Sequence, residues 1–91
     1  MLKPLKDEHI AGLLALYDAC DGTIHAHVRK KFWKNKFQEP YRDLADKIIK
    51  KLCSNPDGLV LKHKGRNNTY SITMNAIRRL GELGIKLVCR D

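Results

Sequence analysis

Cys20, His25 and His27 bring a thiol and two imidazoles within eight residues of one another. With Asp18, Asp21 or Cys53 they could complete a four-ligand zinc or sensor-metal site. The C-x4-H-x-H spacing matches no zinc signature, and a buried thiol beside two surface imidazoles explains it equally well. No metal and no cofactor is therefore expected. Cys53 follows the apolar Leu52 and reads as a buried thiol in preference to a redox sensor. The densest cationic run is Arg29, Lys30, Lys31, Lys34 and Lys36. Its chemistry would be contact with phosphates, and its plain alternative is a solvated helix face. Phe32, Trp33, Phe37 and Tyr41 interleave with these lysines, a pattern that could stack unpaired bases. Core packing at a helix–helix corner is preferred, because Phe32 and Tyr41 continue apolar stripes. No nucleophile–base constellation, GxSxG motif or Gly-rich phosphate loop is found. The acids are too few and scattered for paired-carboxylate catalysis, so an enzyme is not expected.

A chain of 91 residues holds these groups, which predicts one domain over residues 1–91. It is 43% hydrophobic and 31% charged, a globular composition and not a disordered one. Lys and Arg number 18 against 10 acids, for a net charge of +8. Residues 1–22 carry a net −2, residues 23–66 a net +8 and residues 67–91 a net +2. Charge concentrated in this way is what a polyanion-binding face needs. The longest apolar runs, Leu13–Leu16 and Leu59–Leu61, are too short to span a bilayer, and no membrane partner is expected. Met1-Leu2-Lys3-Pro4 does not lead into a secretory apolar stretch. The cysteine count is odd and lacks a CxxC pair, which suits reduced thiols in a cytoplasmic or nuclear protein, not a secreted one.

The periodicities predict the elements. Ile10, Leu13, Leu14 and Tyr17 form a helical stripe over Asp7–Ala19, with Asp7 as cap and Asp21-Gly22 as stop. Ile24, Val28 and Phe32 suggest a second helix from Ile24 to Asn35. Lys36–Glu39 reads as a linker ahead of Pro40. Tyr41, Leu44, Ala45, Ile48, Ile49 and Leu52 mark a third, strongly amphipathic helix over 40–53. Replacing Leu44 or Ile48 should then unfold the domain. A hairpin over 59–73 follows the Ser54–Gly58 turn, with Leu59, Leu61, Tyr70 and Ile72 inward and a turn at Gly65–Asn68. Thr73 caps a last helix, Met74–Leu83, with Met74, Ile77 and Leu80 inward, and Gly84 ends it. The Ile85–Cys89 segment is left between a further strand and a partner-packing segment.

This order of helices and hairpin is that of a winged helix-turn-helix, an α+β, mostly helical fold with a three-helix core, a β-hairpin wing and a C-terminal helix. The stretch Leu44–Leu52, then Gly58-Leu59-Val60, Arg66 and Tyr70-Ser71-Ile72-Thr73, resembles the wing region of the MarR/PadR/ArsR-like regulators. Departures are Ile72 where Leu is commoner, a longer Ser54–Asp57 turn, and Asn75-Ala76 where a Gly is usual. The resemblance implies that the helix 40–53 enters the major groove and that the wing 59–73 reaches the adjacent backbone or minor groove. It implies base-edge positions at Arg42, Asp43, Asp46 and Lys47, and backbone contacts from Lys50 and Lys51. Arg66 would stand at the wing tip, flanked by Lys62, Lys64 and Asn67. Arg29, Lys30, Lys31 and Lys34 would touch phosphates beside the groove. The two acids could accept from cytosine amino groups. Pairing at i,i+4 with Lys47 and Lys50 is preferred.

These observations lead to duplex DNA binding by a small transcriptional regulator. An RNA- or ribonucleoprotein-binding winged helix and a protein–protein adaptor stay open as alternatives. A homodimer would use the first helix, the Ile85–Val88 segment or both.

Overall fold

The computed structural model describes residues 5–54, 58–66 and 68–87. Helix α1, Asp7–Ala19, forms as the periodicity predicts. Leu13 and Leu16 are fully buried, while Ile10, Leu14 and Tyr17 pack at the edge of the core. The residue preceding the helix is Lys6, and Asp7, expected as the cap, lies inside the first turn; no side chain caps this end. The stop is as expected. Asp21 and Gly22 both take positive φ, and the Gly22 N–H donates to the Tyr17 carbonyl at 3.0 Å.

The expected second helix is the main correction. Residues 24–25 form a turn, Val28–Arg29 is strand β1, and helix α2 is only Lys30–Asn35. Strand β1 pairs with a strand some forty residues on, a long-range contact that a local four-residue spacing cannot reveal. The spacing also misplaces the aromatics. Phe32 is 56% exposed, whereas its neighbour Trp33 is fully buried and donates its indole N–H to the Gly12 carbonyl at 2.9 Å. Phe37 is buried and Tyr41 half-buried, so core packing accounts for three of the four aromatics in this run.

The expected 40–53 helix starts later. Arg42–Leu44 is a 3-10 turn and helix α3 is Ala45–Cys53. The tighter turn advances each residue by about 120° instead of 100°, which rotates Leu44 off the apolar stripe. Leu44 is 44% exposed, so its replacement is not expected to unfold the domain. Ala45, Ile48, Ile49 and Leu52 are buried, with Ile48 and Leu52 against Gly12 of α1.

Strands β2, Val60–His63, and β3, Thr69–Ile72, form the hairpin, and β1 adds to its free edge. The sheet is antiparallel throughout, in the order β1-β3-β2. Val28, Tyr70 and Lys62 lie side by side across it, as do Arg29, Thr69 and His63. Val60 and Ile72 share the inward face with Tyr70. Leu61, expected inward, faces out beside Ser71 at 52% exposure. Leu59 is fully buried as expected, but it precedes the strand and its neighbour Val60 is buried too, so the alternation restarts at Val60 and turns Leu61 outward.

Helix α4, Met74–Glu82, is capped by Thr73. The Thr73 hydroxyl accepts from the Ala76 N–H at 3.2 Å and lies within 2.7 Å of the Gly58 carbonyl and 3.1 Å of the Leu59 carbonyl, to either of which it can donate. It thereby ties the base of the hairpin to the last helix. Ala76 and Leu80 are buried and Ile77 is half-buried, whereas Met74, expected inward, is exposed. Gly84 takes positive φ after the helix end. Residues 55–57 of the expected Ser54–Gly58 turn, Asn67, Val88 and Cys89 lie outside the described residues. Among the described residues no helix is long and apolar enough to cross a membrane. The fold is α+β, with four α-helices and one three-stranded sheet described.

Candidate nucleic-acid interface

Helix α3 exposes the flank opposite its apolar stripe because Lys47 and Lys50 fall there by helical spacing. Across from that flank stands the inward-turning end of the hairpin. Lys62 lies directly opposite Tyr70 in the sheet, on the same side as the core, and reaches solvent beyond it. Between helix and hairpin is a groove of about 540 Å³. Its floor is Ile49, Cys53 and Tyr70; its charged rim is Lys30, Lys47, Lys50 and Lys62, with Asp46 the acid among them. A phosphate approaching this groove meets four ammonium groups and one carboxylate.

That carboxylate is already engaged. Lys30 Nζ lies 2.9 Å from Asp46 Oδ1 and Lys34 Nζ 3.0 Å from Asp46 Oδ2, so one acid of α3 bridges two cations of α2. The hydrogen bonds from Lys30 and then Lys34 hold the Asp46 carboxyl below its ordinary range, and the same contact raises the Lys30 ammonium. The expected i,i+4 pair of Asp46 with Lys50 is therefore replaced by pairs between helices. Asp43 has no ion pair among the described residues, so its expected pair with Lys47 does not form either. Lys47, Lys50 and Lys62 likewise make no ion pair there.

The other candidate residues divide between faces. Arg42 and Asp43 are exposed on the 3-10 turn leading into α3. Lys64 and Arg66 are exposed at and beyond the end of β2, near the hairpin tip. Lys31 is exposed on α2. Lys51 turns toward α1, with its Nζ 3.6 Å from Glu8, and Lys36 approaches Asp18 at 3.9 Å. Arg29 lies beside Thr69 and His63 on the outer face of the sheet, opposite the side that Tyr70 and Lys62 share. The basic run Arg29–Lys36 is thus not one surface: Lys30 reaches the groove, and its neighbours spread around it.

The outer sheet face holds a feature that the sequence reading missed. The rings of His27 and His63 stack at 3.8 Å with 11° between planes, and His63 Nε2 is hydrogen-bonded to the buried Ser71 hydroxyl at 2.9 Å. Only the strand register brings these residues together, and a helix over Ile24–Asn35 carries no such signal. This arrangement also sets His27 apart from Cys20, which the C-x4-H-x-H spacing would bring together at a metal. Cys20 turns into the core, its Sγ 3.7 Å from the Ala26 carbonyl, while the ring of His27 lies on that of His63. Among the described residues no three His, Cys, Asp or Glu converge on a metal position. Burial raises the Cys20 and Cys53 thiols, with Lys62 and Lys30 partly opposing this at Cys53.

No family model, curated protein or solved structure matches the chain.

Proposed function

We propose that this chain is a winged-helix domain that binds double-stranded DNA, as a small transcriptional regulator would, with α3 in the major groove and the hairpin on the adjacent backbone or minor groove. The observation that carries the reading is the groove rim, where Lys47 and Lys50 of α3 and Lys62 of the hairpin line one groove and have no ion pair among the described residues. The element order and the sheet order β1-β3-β2, which set the hairpin beside α3, support it further. A duplex backbone offers a negative charge every few ångströms, and cations on two separate elements can contact phosphates on either side of the inserted helix.

The test is a titration of a labelled duplex by anisotropy over 50–200 mM salt. Neutralising about five phosphates predicts a log–log slope near −4.5. The double variant Lys47→Gln/Lys50→Gln should keep its thermal melt and flatten that slope by about 1.8. No measurable duplex binding at low salt would sink the reading. Preferential displacement by a structured RNA of equal length would move the proposal to RNA.

A further inference from the structure

We infer that Lys30 and Lys34 form a clamp for one backbone phosphate, and that Asp46 occupies this clamp in the free protein. The inference rests on the polyanion reading of the groove above and names how that site is regulated.

The geometry is specific. Lys30 and Lys34 stand one turn apart on α2, where like charges repel. Asp46 reaches them from a different element and gives each lysine its own oxygen, at 2.9 and 3.0 Å. A phosphodiester presents two non-bridging oxygens of the same charge-assisted hydrogen-bonding character. The carboxylate therefore takes the place that a backbone phosphate would take, and it does so at the edge of the groove.

The contact is also exchangeable. Both lysine side chains and the Asp46 side chain stay substantially in water, at 47%, 41% and 63% exposure. Ion pairs so exposed gain little net free energy. An arriving phosphate need displace only a weak pair, provided the rest of the duplex is already docked. Asp46 thus withholds two cations from loose contact with any polyanion and releases them on close approach. It acts as a specificity-determining residue, lowering sequence-blind affinity more than docked affinity.

Asp46→Asn should release both lysines. On a duplex of arbitrary sequence its binding slope should steepen by about 0.9, the share of one clamped phosphate, so its advantage over wild type should shrink about 3.5-fold between 50 and 200 mM salt. Asp43→Asn removes the same formal charge from a neighbouring acid that has no ion pair among the described residues, and should give a smaller gain with an unchanged slope. Asp46→Glu should bind as wild type does. The same variants run on a heparin column report the clamp without any nucleic acid. Asp46→Asn should elute at higher salt than Asp43→Asn, and this excess should vanish in a Lys30→Gln/Lys34→Gln background. An excess that survives in that background would overturn the clamp, as would an Asp46→Asn elution no later than that of Asp43→Asn. Thermal melts establish that each variant is folded, with Asp46→Ser as substitute if Asn fails. Wild type that ignores duplex DNA while the heparin cycle holds would refute the DNA reading and leave the clamp standing.

Discussion

A Cβ placed on Gly12 would stand 2.7 Å from Ile48 Cγ2 and 2.7 Å from Leu52 Cδ1. The backbone of α1 cannot retreat easily, because the Gly12 carbonyl also receives the Trp33 indole N–H. The branched Ile48 side chain has few rotamers to escape into. Gly12→Ala should therefore lower stability by about 1–3 kcal/mol through overpacking, although alanine is the better helix former. Gly81, on the exposed side of α4, meets nothing within 4 Å of a new Cβ. Gly81→Ala should raise stability by roughly 0.5–1 kcal/mol. Urea melts of the two variants, read side by side, check the opposite signs. Cys53 and Cys20 differ in the same local way. Cys53 is half-buried at the groove floor and should alkylate in the folded protein, whereas Cys20 should react only on unfolding. Peptide mass mapping separates the two.

Helices α1, α3 and α4 were legible in the sequence because each carries its own apolar period and its own stop, and the hairpin because polar and apolar residues alternate around a turn. What was not legible depends on partners distant in the chain. Val28–Arg29 is a strand only because Tyr70 and Thr69 lie beside it. Leu61 faces solvent because Leu59 and Val60 are both buried, and Val60 takes the inward face beside Ile72. Asp46 reads as a partner of Lys50 until α2 packs alongside and supplies Lys30 and Lys34. The positions of Lys47 and Lys50 could be foreseen from period alone; the face of Lys62 could not, because an inward Leu61 would turn it away from Tyr70, nor could the groove, because it is formed by two elements. Thr73 joins two such elements. Thr73→Ala removes the α4 cap and the link to the hairpin base at Gly58 and Leu59 together. The expected loss is about 1–2 kcal/mol, with hydrogen exchange rising at the N-terminus of α4. Thr73→Ser should restore most of it.

For the whole molecule, the charge of +8 sets how stability responds to solution conditions. Self-repulsion among cations is screened by salt, so the melting temperature should rise with ionic strength while polyanion affinity falls. The pH response has two edges. Burial holds His9 below its usual 6.5, so the fold binds that proton less readily than the unfolded chain does. Its contribution is present above 6.5 and is lost as pH falls through the depressed value. Burial raises both thiols above their usual 9.0, so their contribution is present below 9.0 and is lost as pH rises through the raised values. Urea midpoints should therefore be flat between about pH 7 and 9 and decline on either side. Finally, the burial of Trp33 makes the protein its own optical gauge. It is the chain's single indole, fully enclosed, hydrogen-bonded to α1 and 5.5 Å from the Tyr70 ring that floors the groove. Its emission should be short in wavelength and move to the red as α1 and α2 separate. A ligand in the groove can touch the far side of Tyr70 without wetting the indole, so intensity changes at constant wavelength report occupancy and a wavelength change reports unfolding.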